Sequence, residues 1–294
     1  MMTTVYELFS SGVDQGLLPQ MFAYEFLINA LLASIMIGPL LGLLGTLVVV
    51  KRLAFLSEAV GHSVLTGVSI GILLGEPVES PLISLFSFSI FFALLLQWVK
   101  GRSTIPYDAL IGVFLSFALA MGAALLLYVA KKINAHLIEQ VMFGSILVAS
   151  VGDLIMLFTI CSIVVLLSFR YGNHAYLVAI SPEVAHSQRI NTRAHDYAFV
   201  IMIALITVAS VKIIGAVLVG ALLLIPAASA RLIATNLKQL LFLSILFSSS
   251  SSVLGVLIPM YSQWPVSAGP AITLFACSWF LVCLLYRQFS LKPA

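Results

Sequence analysis

The sequence predicts an all-α, polytopic membrane protein with about nine transmembrane helices. Charged residues make up 9% of the 294 residues and hydrophobic residues 62%, whereas about 25% of a soluble domain is charged. The mean hydropathy is +1.16. Apolar stretches recur along the whole chain, and most are long enough to cross a hydrocarbon core about 30 Å thick. We therefore expect residues 1–294 to form a single transmembrane domain.

Nine apolar segments are separated by short polar or turn-forming stretches. Lys212 is the only polar residue between the sixth and seventh, so one broken hairpin is an alternative to two spans. Residues 1–24 are mildly amphipathic, and we expect them to lie peripherally, along the membrane surface. The predicted spans are about Phe26–Val50, Phe55–Leu74, Leu82–Val99, Ala109–Ala130, Leu154–Phe169, Tyr197–Val211, Ile214–Ala230, Leu240–Met260 and Ala268–Tyr286.

Small residues recur inside several of these segments, and such residues allow membrane helices to approach closely. The first span contains Gly38, Gly42 and Gly45, and the second continues from Ser63 through glycines four residues apart to Gly75. A serine run, Ser248–Ser252, lies in the eighth. Because serine hydroxyls bond back to helix carbonyls, we expect this run to serve packing.

The longest polar stretch, Arg170–Asp196, is predicted to be a solvated cytoplasmic loop. It contains His174, His186 and His195, whose spacing fits no zinc motif. Basic residues set the orientation of membrane proteins, since cytoplasmic loops are enriched in them. With nine spans, eleven of the 14 Lys and Arg fall on one side. We therefore expect an external N-terminus and a cytoplasmic C-terminus.

The most informative stretch is Lys51–Gly75, because Glu58 and His62 lie within its apolar segment. Side chains four residues apart stack on one helical face. An ionisable group inside a membrane costs about 2.5–3.5 kcal/mol on insertion scales and usually faces protein or water. A carboxylate and an imidazole together can bind a borderline divalent metal. The alternative is that the two side chains only stabilise the bundle through hydrogen bonds.

A second informative stretch is Val211–Ala234. Pro226 removes a helix donor, Ala227–Ala230 keeps the backbone small, and Arg231 leads into a short polar segment ending near Lys238. A kinked helix end followed by a short surface helix suits docking onto a cytoplasmic protein. Pro226 could equally be only a kink, and Arg231 only a topological anchor.

Together these stretches resemble the membrane subunits of bacterial ATP-binding-cassette importers for manganese, zinc and iron. The resemblance extends over about residues 22–286. Its other matching segments are Phe143–Leu147, Ser181–Ala185 and Pro265–Leu274. The matches within the two main stretches are Lys51-Arg52, Glu58-Ala59, His62, Val211-Lys212, Gly215, Pro226-Ala227-Ala228 and Ala230-Arg231-Leu232.

The resemblance implies a type II ABC importer permease in the bacterial cytoplasmic (inner) membrane. Glu58, which replaces the family's aspartate, and His62 would be pathway metal ligands. Pro226, Ala230 and Arg231 would contribute to ATPase coupling, in a cytoplasmic coupling segment at residues 228–240. The implied partners are a cytoplasmic ATP-binding subunit, an extracytoplasmic metal-binding protein, a second permease copy or close homologue, and membrane lipid.

Several function classes are disfavoured by the sequence. Lys and Arg never cluster beyond pairs, so we expect no nucleic-acid partner. No G-x-x-x-x-G-K-[ST] sequence occurs, so ATP would be bound and hydrolysed by a separate chain, and this chain would not be an enzyme. We expect no covalent cofactor, only a transported divalent metal ion. The three cysteines, Cys161, Cys277 and Cys283, have no metal or redox spacing and are predicted to be small core residues.

Three rival functions use the same residues differently. An ion- or proton-coupled secondary metal carrier predicts inverted repeats with paired broken helices. An importer of a larger metal chelate predicts a wide apolar pathway without a buried carboxylate–imidazole pair. A structural scaffold gives no reason for Glu58 to lie in a span.

Overall fold

The structure is a computed structural model that describes residues 6–7, 9, 11–13, 15–16, 19–77, 81–129, 146, 149–262 and 267–290. From residue 20 onward, the described ranges contain a 3₁₀ turn at Gln20–Ala23 followed by ten helices. These are α1 (Glu25–Lys51), α2 (Leu56–Leu73), α3 (Leu82–Lys100), α4 (Tyr107–Val129), α5 (Val151–Ile180), α6 (Pro182–Ser187), α7 (Thr192–Ile214), α8 (Ala216–Ile233), α9 (Leu237–Ser262) and α10 (Ala268–Ser290).

Eight of these helices are long and apolar enough to cross a membrane: α1–α5, α7, α9 and α10. The apolar part of α8, Leu218–Ile233, is shorter. A helix satisfies its own backbone hydrogen bonds, which lipid cannot do, so long apolar segments fold as helices. The all-α, polytopic fold class is thereby confirmed, with eight spans and one shorter apolar helix in the described ranges.

The prediction of a solvated loop over Arg170–Asp196 is wrong. Helix α5 continues to Ile180, α6 follows, and α7 begins at Thr192. The 30 residues of α5 extend about 45 Å, more than the thickness of the hydrocarbon core. The polar turns of α5 after Arg170 are therefore the part of the helix that extends beyond the hydrocarbon core. Asn191 begins α7 by accepting a hydrogen bond from the Ala194 amide at 3.1 Å.

The separate surface helix expected after Arg231 does not form. Helix α8 runs through Pro226 to Ile233, and a three-residue connection leads directly into α9. The polar residues of this connection cap α9 instead. Asn236 accepts from the Gln239 amide at 2.8 Å, and the Gln239 side chain accepts from the Thr235 amide at 2.9 Å.

The interior of the bundle is formed mainly by α1, α2 and α7. In the most apolar window of α2, 78% of the residues are buried, against 22% for α4. The predicted small-residue contacts are confirmed at two interfaces. Ser244 on α9 donates to the Gly42 carbonyl of α1 at 2.7 Å, and Gly67 of α2 packs closely on Leu85 of α3.

One end of the bundle, which we call the basic end, is identified by Lys51 and Lys100, which line the same pocket. Lys51 forms an ion pair with Asp196, so α1 ends beside the start of α7. Tyr176 in α5 hydrogen bonds with Thr46 of α1, which brings the end of α5 to the same place. Val50 packs in one apolar cluster with Ala230, so α8 also ends there.

Two predictions fall largely outside the described residues. Most of the N-terminal segment 1–24 is not described, although Tyr6 donates to the Asn29 side chain of α1 at 2.6 Å. Of the matching segment Phe143–Leu147, only Ile146 is described, as a buried residue.

Candidate metal centre

Glu58 and His62 lie in the first two turns of α2, near the basic end of the bundle. The helix begins at Leu56, so the two side chains are one turn apart on the same face. His62 is 8% exposed, and Glu58 is half-buried. The helix around them is the most deeply enclosed of the candidate spans. The sequence-predicted pair is therefore held inside the bundle, near one end of α2 rather than at its middle.

The face of α2 that carries this pair meets the junction between α7 and α8. A Cβ atom placed on Gly61 would lie 3.6 Å from the Ala216 Cβ and 3.7 Å from a Val211 methyl. One placed on Gly220 would lie 4.0 Å from the Glu58 Cβ. The start of α8 thus runs alongside Glu58 with no side chain between the two backbones at Gly220.

Gly215 makes this junction possible because it adopts φ +86°, a conformation that other residues rarely take. Helix α7 ends at Ile214 and α8 begins at Ala216, so the chain changes direction at a single residue. Helix ends leave amide and carbonyl groups without intrahelical partners. The junction therefore places helix-end backbone groups beside Gly61, the residue that precedes His62.

Several buried polar atoms on α2 and α7 have no hydrogen-bond partner within the part of the chain that the structure describes. Besides His195 Nε2 at the start of α7, they are His62 Nδ1, Ser57 Oγ, Thr207 Oγ1 and Ser210 Oγ. Buried polar atoms in proteins almost always have partners, including water or ions. The α2 and α7 surfaces are therefore suited to contact a polar or ionic species, and His62 retains a ring nitrogen for it.

The described residues of a single chain would supply only part of a metal coordination shell at this place. Among the described residues, no group of three or more His, Cys, Asp and Glu is close enough to hold a metal. Cys161 and Cys283 are buried in α5 and α10, as predicted for core residues, and Cys277 is half-buried. Glu58 and His62 offer one oxygen and one nitrogen ligand, which leaves the other positions to water, backbone carbonyls or another chain.

The predicted coupling residues lie in the last turns of α8. Pro226 and Ala230 are buried, and Arg231 is exposed at the basic end.

Sequence reasoning missed the neighbouring surface helix α6, which packs against α5 and α7. Its start carried a recognisable signal, since Pro182 occupies the first helical turn and Glu183 follows. Ala185 is buried, whereas Val184 is exposed to solvent.

Two ion pairs hold α7 near its ends. Besides the Lys51–Asp196 pair at the basic end, Lys212 in the last turn of α7 lies 2.6 Å from Asp153 in the first turn of α5. The Asp153 carboxylate also accepts hydrogen bonds from the Ser150 hydroxyl and amide. Neither pairing is visible in the spacing of the sequence.

Comparisons with known proteins agree with this architecture. The chain is 30% identical over 259 residues to the manganese import system permease protein ScaB of Streptococcus gordonii, covering 88% of this chain and 90% of that protein. It is 27% identical over 266 residues to the high-affinity zinc uptake system membrane protein ZnuB of Haemophilus influenzae, covering 90% and 99%. Among solved structures, PsaBC from Streptococcus pneumoniae in complex with Fab superimposes with a TM-score of 0.77 at 27% identity, covering 95% of each chain.

The family model described as the ABC 3 transport family matches residues 23–287. The match begins before α1 and ends in the last turns of α10, so it includes every helix discussed above. This chain therefore belongs to the ABC 3 transport family.

Proposed function

We propose that this chain is the transmembrane permease subunit of an ATP-driven importer of divalent transition-metal ions: manganese, zinc or iron. Membership of the family and the manganese and zinc systems named among its relatives support this class of cargo. The observation that carries the proposal is His62, a buried membrane imidazole one turn from Glu58 whose Nδ1 has no partner among the described residues.

In this proposal Glu58 and His62 are ligands on the pathway of the ion. A carboxylate oxygen and an imidazole nitrogen suit manganese, iron and zinc. A second copy of the chain, or a close homologue, would supply a second pair across a central pathway. Alternating access would then expose this place first to the external side and later to the cytoplasm.

The other partners follow from the same class of transporter. An extracytoplasmic metal-binding protein would deliver the ion, and an ATP-binding subunit would dock at the basic end, which we expect to face the cytoplasm. Exposed Arg231 and the exposed residues of α6, including Val184, provide charged and apolar contacts there. ATP hydrolysis would take place entirely in that separate subunit.

The test is metal uptake by proteoliposomes containing this chain, its ATPase and its binding protein. We expect Glu58→Gln and His62→Ala each to abolish ATP-dependent uptake, because each removes one of the two side-chain ligands. Competition among zinc, manganese and iron(II) in the wild type identifies the cargo. Assembly of the complex and its basal ATPase activity should remain, since neither residue lies at the basic-end surface.

Asp108→Asn is the matched control. Asp108 lies in the first turn of α4 and is exposed, so neutralising it removes a carboxylate of the same charge from the surface rather than from the enclosed part of α2. Uptake by this variant should equal that of the wild type. Unchanged uptake in both Glu58→Gln and His62→Ala would show that the pair serves packing only.

A further inference from the structure

The structure brings together two histidines that are far apart in the polar stretch. His174 lies in the last third of α5 and His195 in the first turn of α7, and their ring centres are 5.8 Å apart. The His195 ring also contacts Tyr171 of α5, and the centres of these two rings are 6.4 Å apart. This cluster is at the basic end, since the neighbouring Asp196 pairs with Lys51. It lies on α5 and α7, whereas Glu58 and His62 lie on α2.

The hydrogen bonding of His195 determines which ring nitrogen is available. Its Nδ1 lies 3.0 Å from the Asn191 carbonyl oxygen. A carbonyl oxygen can only accept, so Nδ1 carries the proton in the neutral ring, and Nε2 keeps its lone pair. That Nε2 atom is buried and has no hydrogen-bond partner within the described ranges. Metal-binding histidines characteristically donate their other ring N–H to a backbone carbonyl or carboxylate in this way.

The surroundings of His195 offer Nε2 little competing polar contact. A cavity of about 210 Å³ lies against the ring. Apart from His195 its lining is almost entirely apolar, formed by Leu167, Tyr171, Ala175, Ala194, Ala198 and Met202. A buried acceptor left without a partner keeps the free-energy cost of its lost hydration. Ring packing alone explains why the two histidines touch, but it leaves this cost uncompensated.

The distance between the rings is compatible with one shared metal ion. A ligating imidazole nitrogen lies about 2.0–2.1 Å from the metal, which places each ring centre about 3.2 Å from it. Two such rings can be at most about 6.4 Å apart, and the observed separation is 5.8 Å with the planes inclined at 64°. His174 is exposed, so its side chain is free to turn toward the ion.

We propose that His174 and His195 bind a divalent transition-metal ion of zinc-like character, separate from the Glu58 and His62 pair, with water completing the coordination. Imidazole is the preferred nitrogen ligand for such ions. Because one ligand is on α5 and the other on α7, the ion joins the two helices that flank α6. A bound ion thereby stiffens the α5–α6–α7 turn at the basic end.

The test uses the full chain in lipid nanodiscs, purified through a tag that contains no histidine. The chain carries His62→Ala, which removes the imidazole of the proposed pathway site. Zinc alone is the probe. Reaction of His174 with diethylpyrocarbonate is followed by mass spectrometry, since this exposed imidazole is accessible to the reagent. We expect zinc to slow the modification of His174 by about tenfold or more, and to leave exposed His186 unaffected as an internal control.

His195→Phe keeps an aromatic ring beside Tyr171 but removes Nε2, so zinc protection of His174 should be lost. His174→Phe tests the partner at an exposed position where folding is not at risk. Zinc affinity by equilibrium dialysis should then fall by about tenfold or more. The proposal is overturned if zinc does not protect His174, if protection survives His195→Phe, or if His174→Phe binds zinc as tightly as its parent. None of these readouts depends on transport.

Discussion

Small residues surround the Glu58 and His62 pair and determine how closely the neighbouring helices approach it. Gly61 lies between the two side chains in sequence and meets Ala216, while Gly220 lies beside the Glu58 Cβ. Because these positions have little or no side chain, the start of α8 reaches α2 without covering the carboxylate. The glycines thus leave space next to the carboxylate and the imidazole that we propose as metal ligands.

A different pair of charged residues, Lys212 and Asp153, ties α7 to α5 at the end opposite Lys51. Their side chains are 23% and 18% exposed, so solvent screens the pair only partly. We expect Lys212→Met to lower the free energy of unfolding by about 1.5–3 kcal/mol, since it leaves a charged, hydrogen-bonded carboxylate without its cation. Thermal unfolding in detergent measures the change.

A double-mutant cycle with Asp153→Asn separates the pair from other effects. Residues in direct contact show coupling energies of about 0.5–3 kcal/mol. If the two single changes simply add in the double variant, the ion pair contributes no stability and the expectation is wrong.

At the scale of elements, a close helix contact joins α1 to α9, and it depends on Gly42. A Cβ atom at Gly42 would lie 2.7 Å from the Ser244 carbonyl oxygen and 2.9 Å from the Ile245 Cα. Both are backbone atoms, which cannot move aside cheaply. We therefore expect Gly42→Ala to destabilise the fold by about 1–3 kcal/mol through overpacking, measured by thermal unfolding in detergent.

Gly112→Ala is the matched control for this prediction. Gly112 lies within α4, and a Cβ atom there would meet nothing within 4 Å. Alanine is better than glycine in a helix by about 1 kcal/mol, so this variant should be neutral or slightly more stable. Equal stability of the two variants would mean that the α1–α9 contact tolerates a wider separation.

The elements themselves were largely predictable because membrane insertion depends on local apolar length. The predicted first span, Phe26–Val50, differs from α1 by one residue at each end. The error over Arg170–Asp196 arose because polarity was equated with a loop, whereas a helix that leaves the membrane becomes polar without ending. The Ser-Pro-Glu sequence at residues 181–183 was a local signal for α6 that hydropathy alone did not reveal.

The parts of the candidate sites that could not be predicted are contacts between distant residues. The i, i+4 spacing of Glu58 and His62 showed that they share a face of α2, but not that Gly220 lies beside them. His174 and His195 have no motif spacing, since their contact depends on how α5 and α7 pack. Such pairings require the tertiary structure.

At the scale of the whole molecule, the helices divide into an enclosed group and an outer group. Helices α1, α2 and α7 are mostly buried, whereas α4, α5 and α10 expose large apolar side chains, including Leu127, Phe158 and Leu281. In a membrane protein such surfaces face lipid tails or another subunit. A second copy packed on part of this surface would complete the proposed pathway, with lipid covering the remainder.

The basic end is the surface at which we expect ATP-dependent motion to enter the molecule. Arg231 is exposed there, while Ala230 beside it is packed in a cluster with Leu240, Phe247 and Cys283. If the ATP-binding subunit docks at Arg231, this packing would transmit its motion to the helices around α8. Reversing an interface charge costs several kcal/mol, so Arg231→Glu should weaken binding of the ATP-binding subunit by more than about tenfold.

The affinity of that subunit for the permease in nanodiscs measures this effect, and metal uptake should fall in parallel. Arg287→Glu is the matched control, because Arg287 is also exposed and lies in the last turns of α10. If docking uses α8 specifically, the control retains its affinity although the net charge changes equally. Equal weakening in both variants would instead indicate general electrostatic attraction to a positive surface, and Arg231 would then be only a topological anchor.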